Sequence, residues 1–171
     1  MAEKGLTRNK NPGSMCIMKT KTSLLTLALC FAVGTVCLAG PFTGVWNLNE
    51  AKSKIAPGVP KNRVVVYKEA KGGMMKISVD SIDAKGKAGH SEWAGKFDGK
   101  DYAVTGDPTS DTRAYTTVND RTMNFTSKKA GKIVVNGRVA VSTDGKSRTV
   151  TTTGMDAKGK KVKSTAFYDK K

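Results

Sequence analysis

Beyond residue 39 the chain has no cysteine, since Cys16, Cys30 and Cys37 all precede that point, so a fold built from the remainder has no disulfide. Burial has to hold it. Histidine is almost missing as well. With His90 alone, zinc held by histidine and cysteine is excluded for this part, and a nucleophile would have one imidazole to draw on. Acidic residues are scarce, 14 against 30 basic, for a formal charge of +16. Five basic residues and one acidic residue lie in the first 39, so the rest still carries about +12, enough to attract polyanions in a salt-dependent way. Aromatics make up only 6%. Sheets that hold nucleic acid display aromatic rings on an open face, whereas Trp93, Phe97 and Phe125 stand in phase with apolar neighbours, so nucleic acid is not an expected partner. Long apolar runs are also lacking. The longest, 24–38, is about 15 residues, short of the roughly 20 that span a bilayer as a helix.

That run follows Lys19 and Lys21 and is followed by the small residues Ala39 and Gly40, the layout of a secretory signal peptide. We expect a leader over 18–39, cleaved after Ala39, with Cys37 and Ala39 at the positions that need small side chains. An uncleaved anchor is the alternative. A lipoprotein anchor is disfavoured by Leu29 before Cys30 and Val36 before Cys37. Residues 1–17 form a polar upstream extension without periodicity, or an over-called start. This reading places residues 40–171 outside the cytoplasm, secreted or periplasmic, with no stable membrane span after processing.

From 42 onward Gly or Pro recurs at short intervals and apolar residues recur at every second position, which predicts strands. They are 42–48, 63–69, 74–80, 88–97, 102–105, 112–119, 121–128, 132–142, 147–154 and 161–169. Between the first two, 49–62 has room for one helical turn, capped by Asn49 and stopped by Pro57 and Pro60. DAKGK occurs twice, at 83–87 and 156–160. Asp first and Gly fourth suit a type I turn, so both copies read as hairpin turns with solvated lysines, like the shorter DGK segments at 98 and 144. The fold class is therefore all-β. One antiparallel up-and-down β-barrel or flattened clam of about 8–10 strands is expected over 40–171, with a two-sheet sandwich as the alternative.

FTGVWNLN resembles the G-x-W segment of the lipocalin and fatty-acid-binding-protein (calycin) superfamily, with Gly44 and Trp46 on the first strand. The resemblance implies that Trp46 and Gly44 plug one barrel end and that the interior takes a small hydrophobic ligand. Two features of the fatty-acid-binding branch are absent: 49–62 is too short for a two-helix lid, and the Arg-x-Tyr used on carboxylates stands here as Ala166, Phe167 and Tyr168. GVWNLNEAKSKI, FDGKDYAVTGDP and TVTTTGMDAKGK, with the terminal YDK, are similar to a family of small exported bacterial proteins. That likeness covers nearly all of 40–171 and brings no chemistry with it.

The site expectations follow. His90 shares a strand face with Glu92 and reads as surface, so Ser91 and Ser110 have no positioned base and no catalytic residue is assigned. Asp98, Asp101, Asp107 and Asp111 read as turn carboxylates rather than calcium ligands, so no metal or other cofactor is expected. Trp93, Tyr115 and Phe125 are the expected ligand-lining residues. The leading reading is a non-enzymatic barrel with a small apolar or amphipathic ligand inside; the alternative is a cationic surface for anionic envelope polymers or lipid headgroups. A barrel filled by Met75, Ile77, Trp93, Phe125 and Val135, with no space near the roughly 300 Å³ that ligand pockets need, excludes the first.

Overall fold

Alternation decides which side of each strand is dry. In MMKISVD, Ile77 and Val79 are buried at 2% and 6% exposure, while Lys76 before them and Asp80 after them are exposed. The computed structural model describes residues 40–155 and 159–171, and there the same pattern repeats around a closed barrel. Its strands are β1 (Gly44–Leu48), β2 (Lys61–Ala70), β3 (Met74–Ile82), β4 (Ala88–Gly95) and β5 (Tyr102–Thr105). They continue as β6 (Thr112–Asn119), β7 (Thr122–Lys129), β8 (Lys132–Val141), β9 (Ser147–Met155) and β10 (Lys161–Lys170). Each pairs antiparallel with its neighbour in sequence, and β1 closes the ring against β10 through Trp46↔Lys170 and Leu48↔Tyr168. Closure removes the exposed edges that an open sheet of this length would leave. The two-sheet sandwich is thereby set aside.

The first strand starts later than the sequence suggests. Phe42 sits in the turn ahead of β1 and is 6% exposed, and its carbonyl accepts the Trp46 indole N–H at 2.8 Å. Between β1 and β2 there is only a 3-10 turn, Glu50–Lys52, capped by the Asn49 side chain accepting from Lys52 N at 3.1 Å. The chain then runs back along β10. Phe167 N donates to Ser53 Oγ at 2.9 Å, Lys54 bridges Thr165, and Ala56 N donates to Ser164 Oγ at 3.0 Å. This pinning holds Ile55 and Val59 at one mouth of the barrel.

At that mouth the first DAKGK is the turn its residues suggest. Asp83 Oδ1 accepts from Lys85 N and Lys87 N at 2.8 and 2.9 Å, and Gly86 takes φ 81°, a value side chains resist. The second copy lies partly outside the described residues, and the upstream extension and the leader lie wholly outside them. Up-and-down connection sorts the ends. Segments 49–60, 83–87, 106–111 and 130–131 gather at the open end; 71–73, 96–101, 120–121 and 142–146 gather at the other. Both Gly40 and Lys171 are also at that other end, through Gly40 N on Glu69 Oε1 and Lys171 N on the Val45 carbonyl. Among the described residues no helix is long and apolar enough to cross a membrane.

Candidate functional site

The interior divides into a filled half and a hollow half. Aromatic rings fill the end away from the mouth. Trp93 meets Tyr115, Tyr102 and Phe97 at centroid distances of 4.8, 5.7 and 6.1 Å, and Phe97 meets Phe42 edge-on at 6.1 Å. Small residues make room for them: a Cβ on Gly95 would strike the Tyr102 ring, and one on Gly137 the Phe125 ring. Met75, Ile77 and Trp93 thus belong to a solid core, each large buried side chain worth about 1.5–3 kcal/mol.

Above this floor lies a cavity of about 510 Å³ that opens between 55–62, 83–91 and 106–110. Phe125 and Val135 border it rather than fill it. Of the three expected lining residues, Phe125 is on the cavity wall. Trp93 and Tyr115 lie in the aromatic core beneath it, joined to the wall by the Tyr115–Phe125 contact at 5.5 Å.

Trp46 is fully buried next to Arg148, whose guanidinium lies 4.8 Å from its ring, 4.9 Å from Tyr67 and 4.7 Å from Tyr168. Lys170 covers the outer side of Trp46 at 5.1 Å, and its Cε occupies the space that a Cβ on Gly44 would need, 2.6 Å away. Arg148 is 2% exposed, and its Nε and Nη1 have no hydrogen-bond partner among the described residues.

Within the cavity one ion pair dominates. Arg113 Nε donates to Ser127 Oγ at 2.8 Å and Nη2 to Asp107 Oδ2 at 3.3 Å, with both partners of the ion pair about 15% exposed. Asp107 also accepts from Thr109 N, Thr109 Oγ1 and Ser110 Oγ at 2.8, 2.6 and 2.7 Å. Burial alone would raise its pKa, but hydrogen bonds from Thr109 and Ser110, together with the Arg113 charge, outweigh that and hold it below the usual carboxylate value. Trp93 Nε1 donates to the Arg113 carbonyl at 2.9 Å, fixing the strand from which the arginine projects. Sequence reasoning took Asp107 only for a turn former and passed over both interior arginines. Their parity was a usable signal: Arg113 stands two residues before Tyr115, and Arg148 two before Val150.

His90 is exposed on the outer face of β4. Its Nδ1 lies 2.6 Å from Asp80 Oδ1, a hydrogen bond that raises its pKa, and Nε2 is 3.8 Å from Glu92. The adjacent Ser91 faces the cavity, on the other side of the sheet, and Ser110 donates to Asp107 rather than to an imidazole. The four loop carboxylates go separate ways. Asp98 accepts from Lys100 N and the Tyr102 hydroxyl, Asp101 pairs with Lys128, Asp107 with Arg113 and Asp111 with Lys129. No group of three potential metal ligands occurs among the described residues.

No family model matches this sequence, and no curated protein matches it. Solved structures with a similar chain path include EF1p2_mFAP2b bound to DFHBI, at 9% identity and a TM-score of 0.46, covering 77% of this chain and 94% of that one. Another is the redesigned β-barrel mFAP1 bound to DFHBI, at 12% identity and a TM-score of 0.39, covering 77% and 95%.

Proposed function

We propose that the chain is an exported, non-enzymatic barrel that holds a small amphipathic ligand in the hollow half of its interior. The observation that carries this reading is the cavity itself. About 510 Å³, walled in part by Val79, Phe125, Val135 and Val150 and otherwise by polar side chains around Arg113 and Asp107, falls within the size of small-molecule sites and suits an amphipathic ligand. Burial, rather than catalysis, is the chemistry on offer there, because the sole imidazole lies outside the barrel. Trp93 and Tyr115 support the floor, and Phe125, with Tyr168, is in a position to touch the ligand.

The test is mass spectrometry of small molecules copurifying with the protein from its native source, paired with titration of the tryptophan emission. A recurrent small molecule that shifts the emission and is displaced by bulk substitution at Val150, such as Val150→Trp, supports the reading. A protein that carries nothing, with emission unmoved by a panel of apolar and amphipathic probes, overturns it. Export is tested by the mass of the processed chain, expected to begin at Gly40. The second reading, adhesion to anionic envelope material, is favoured by the exposed lysines at turn tips such as Lys85, Lys100 and Lys146. Retention on an anionic resin that collapses between low and moderate salt is its signature.

A further inference from the structure

The polar groups that a ligand would meet are unequally spent. An ionised carboxylate offers about four acceptor positions. Asp107 has four donors on it: Thr109 N, Thr109 Oγ1, Ser110 Oγ and Arg113 Nη2. Asp83, the other carboxylate of the lining, sits at the rim and is tied to the backbone N–H groups of its own turn. The Tyr168 hydroxyl is given to the Asn62 carbonyl at 3.0 Å, and Ser164 Oγ accepts from Ala56 N.

Arg113 is different. A guanidinium has five N–H donors, and its two hydrogen bonds here, to Ser127 and Asp107, together with the neighbouring Tyr115 hydroxyl, occupy at most three. At least two N–H groups remain for whatever fills the space. The plane is held in place by Ser127, Asp107 and the Phe125 ring, 5.7 Å from the guanidinium carbon. Lys87 adds a second cation on the lining at the mouth.

We infer that the ligand carries an anionic, acceptor-rich end, a carboxylate or a sulfonate, and that Arg113 of β6 receives it while the ligand's apolar body lies against Phe125, Val135 and Val150. This deepens the cavity reading and rests on it. Asp107 acts as the positioning residue: with its acceptors filled by its own loop it orients the guanidinium without competing for the ligand, and a planar fork fixed in this way suits a bidentate oxyanion.

The experiment compares two fluorescent probes that differ in one group, 8-anilinonaphthalene-1-sulfonate and the neutral N-phenyl-1-naphthylamine, titrated into the wild-type protein and Arg113→Met. The wild type is expected to bind the sulfonate about tenfold or more tightly than the neutral parent, the size of one charge-assisted contact. Arg113→Met should erase that margin and leave neutral-probe affinity within about twofold. Lys87→Met should keep most of the margin. A margin that persists in Arg113→Met assigns the preference to surface lysines and overturns the inference, as does the absence of any margin in the wild type. In both cases binding of the neutral probe leaves the cavity reading standing. If neither probe binds, the cavity reading falls and this inference with it. Should Arg113→Met fail to fold because Asp107 is left unpaired, the double variant Asp107→Asn/Arg113→Met removes both charges. If that too is unfolded, the wild-type margin is read at about 1 M salt, where exposed charges are screened within about 3 Å; its survival supports an interior contact and its disappearance refutes one.

Discussion

Arg148 stands on the dry side of β9, held by the faces of Trp46, Tyr67 and Tyr168 rather than by a carboxylate, and no ion pair to it occurs among the described residues. Three ring contacts of roughly 0.5–2 kcal/mol each offset the cost of a buried cation only while the planar group lies across them. Arg148→Lys keeps the charge and loses the plane, whereas Arg148→Met loses the charge and keeps the bulk. Unfolding free energies from urea titration should therefore rank wild type and Arg148→Met above Arg148→Lys, the last lower by about 2 kcal/mol; the reverse order would show the charge itself to be needed. Asp107 gives a second expectation at this scale. Its pKa is depressed in the folded state, so its contribution is present above the unfolded value near 3.8 and is lost as pH falls through the folded value. Asp107→Asn should cost about 2 kcal/mol at pH 7, with the difference from wild type narrowing below about pH 4. Both arginines were legible in the sequence by parity. What hid them was the prior that charged residues face water.

At the scale of elements, the two-residue period and the Asp/Gly turns were enough to place all ten strands to within two or three residues, because those signals are local. The hollow half was not legible. It depends on register across the sheet, in particular on Gly137 lying opposite Phe125, where the missing side chain lets the ring lie flat. The tight turn at 130–131 would by itself set Phe125 against Asn136; the one-residue register shift at Ser127/Lys128, which no spacing announces, brings Gly137 there instead. Gly137→Ala should push that ring toward the cavity, costing about 1–3 kcal/mol and weakening the neutral probe, which chemical denaturation and titration would detect together. The shortest strand is also the least supported. β5 has four residues, held by Glu92↔Thr105 and Trp93↔Val104 on one side and Tyr102↔Arg113 and Ala103↔Thr112 on the other. Amide exchange should accordingly be faster at Ala103 and Thr105 than in the long β9–β10 pair, and equal protection would contradict this account.

For the barrel as a whole, with no cysteine among the described residues, stability rests on packing, and the packed interior is rich in hydroxyl-bearing rings. Burial pushes the Tyr168 phenol up to about 12, and burial drives Tyr67 higher still. Each raised pKa contributes stability that is complete below the unfolded value near 10 and is lost as pH rises through the folded value. Between about pH 10 and 12 the fold should weaken by about 1.4 kcal/mol per pH unit for each such tyrosine, with 295 nm absorbance showing their ionisation only as the barrel opens. An even number of strands has a further result. Residues 40 and 171 emerge together, on the side opposite the mouth, so a tether at either one would stand the molecule like a cup on its base. On a sensor chip or a cell wall, every copy held in that way would keep its opening turned to the surrounding fluid.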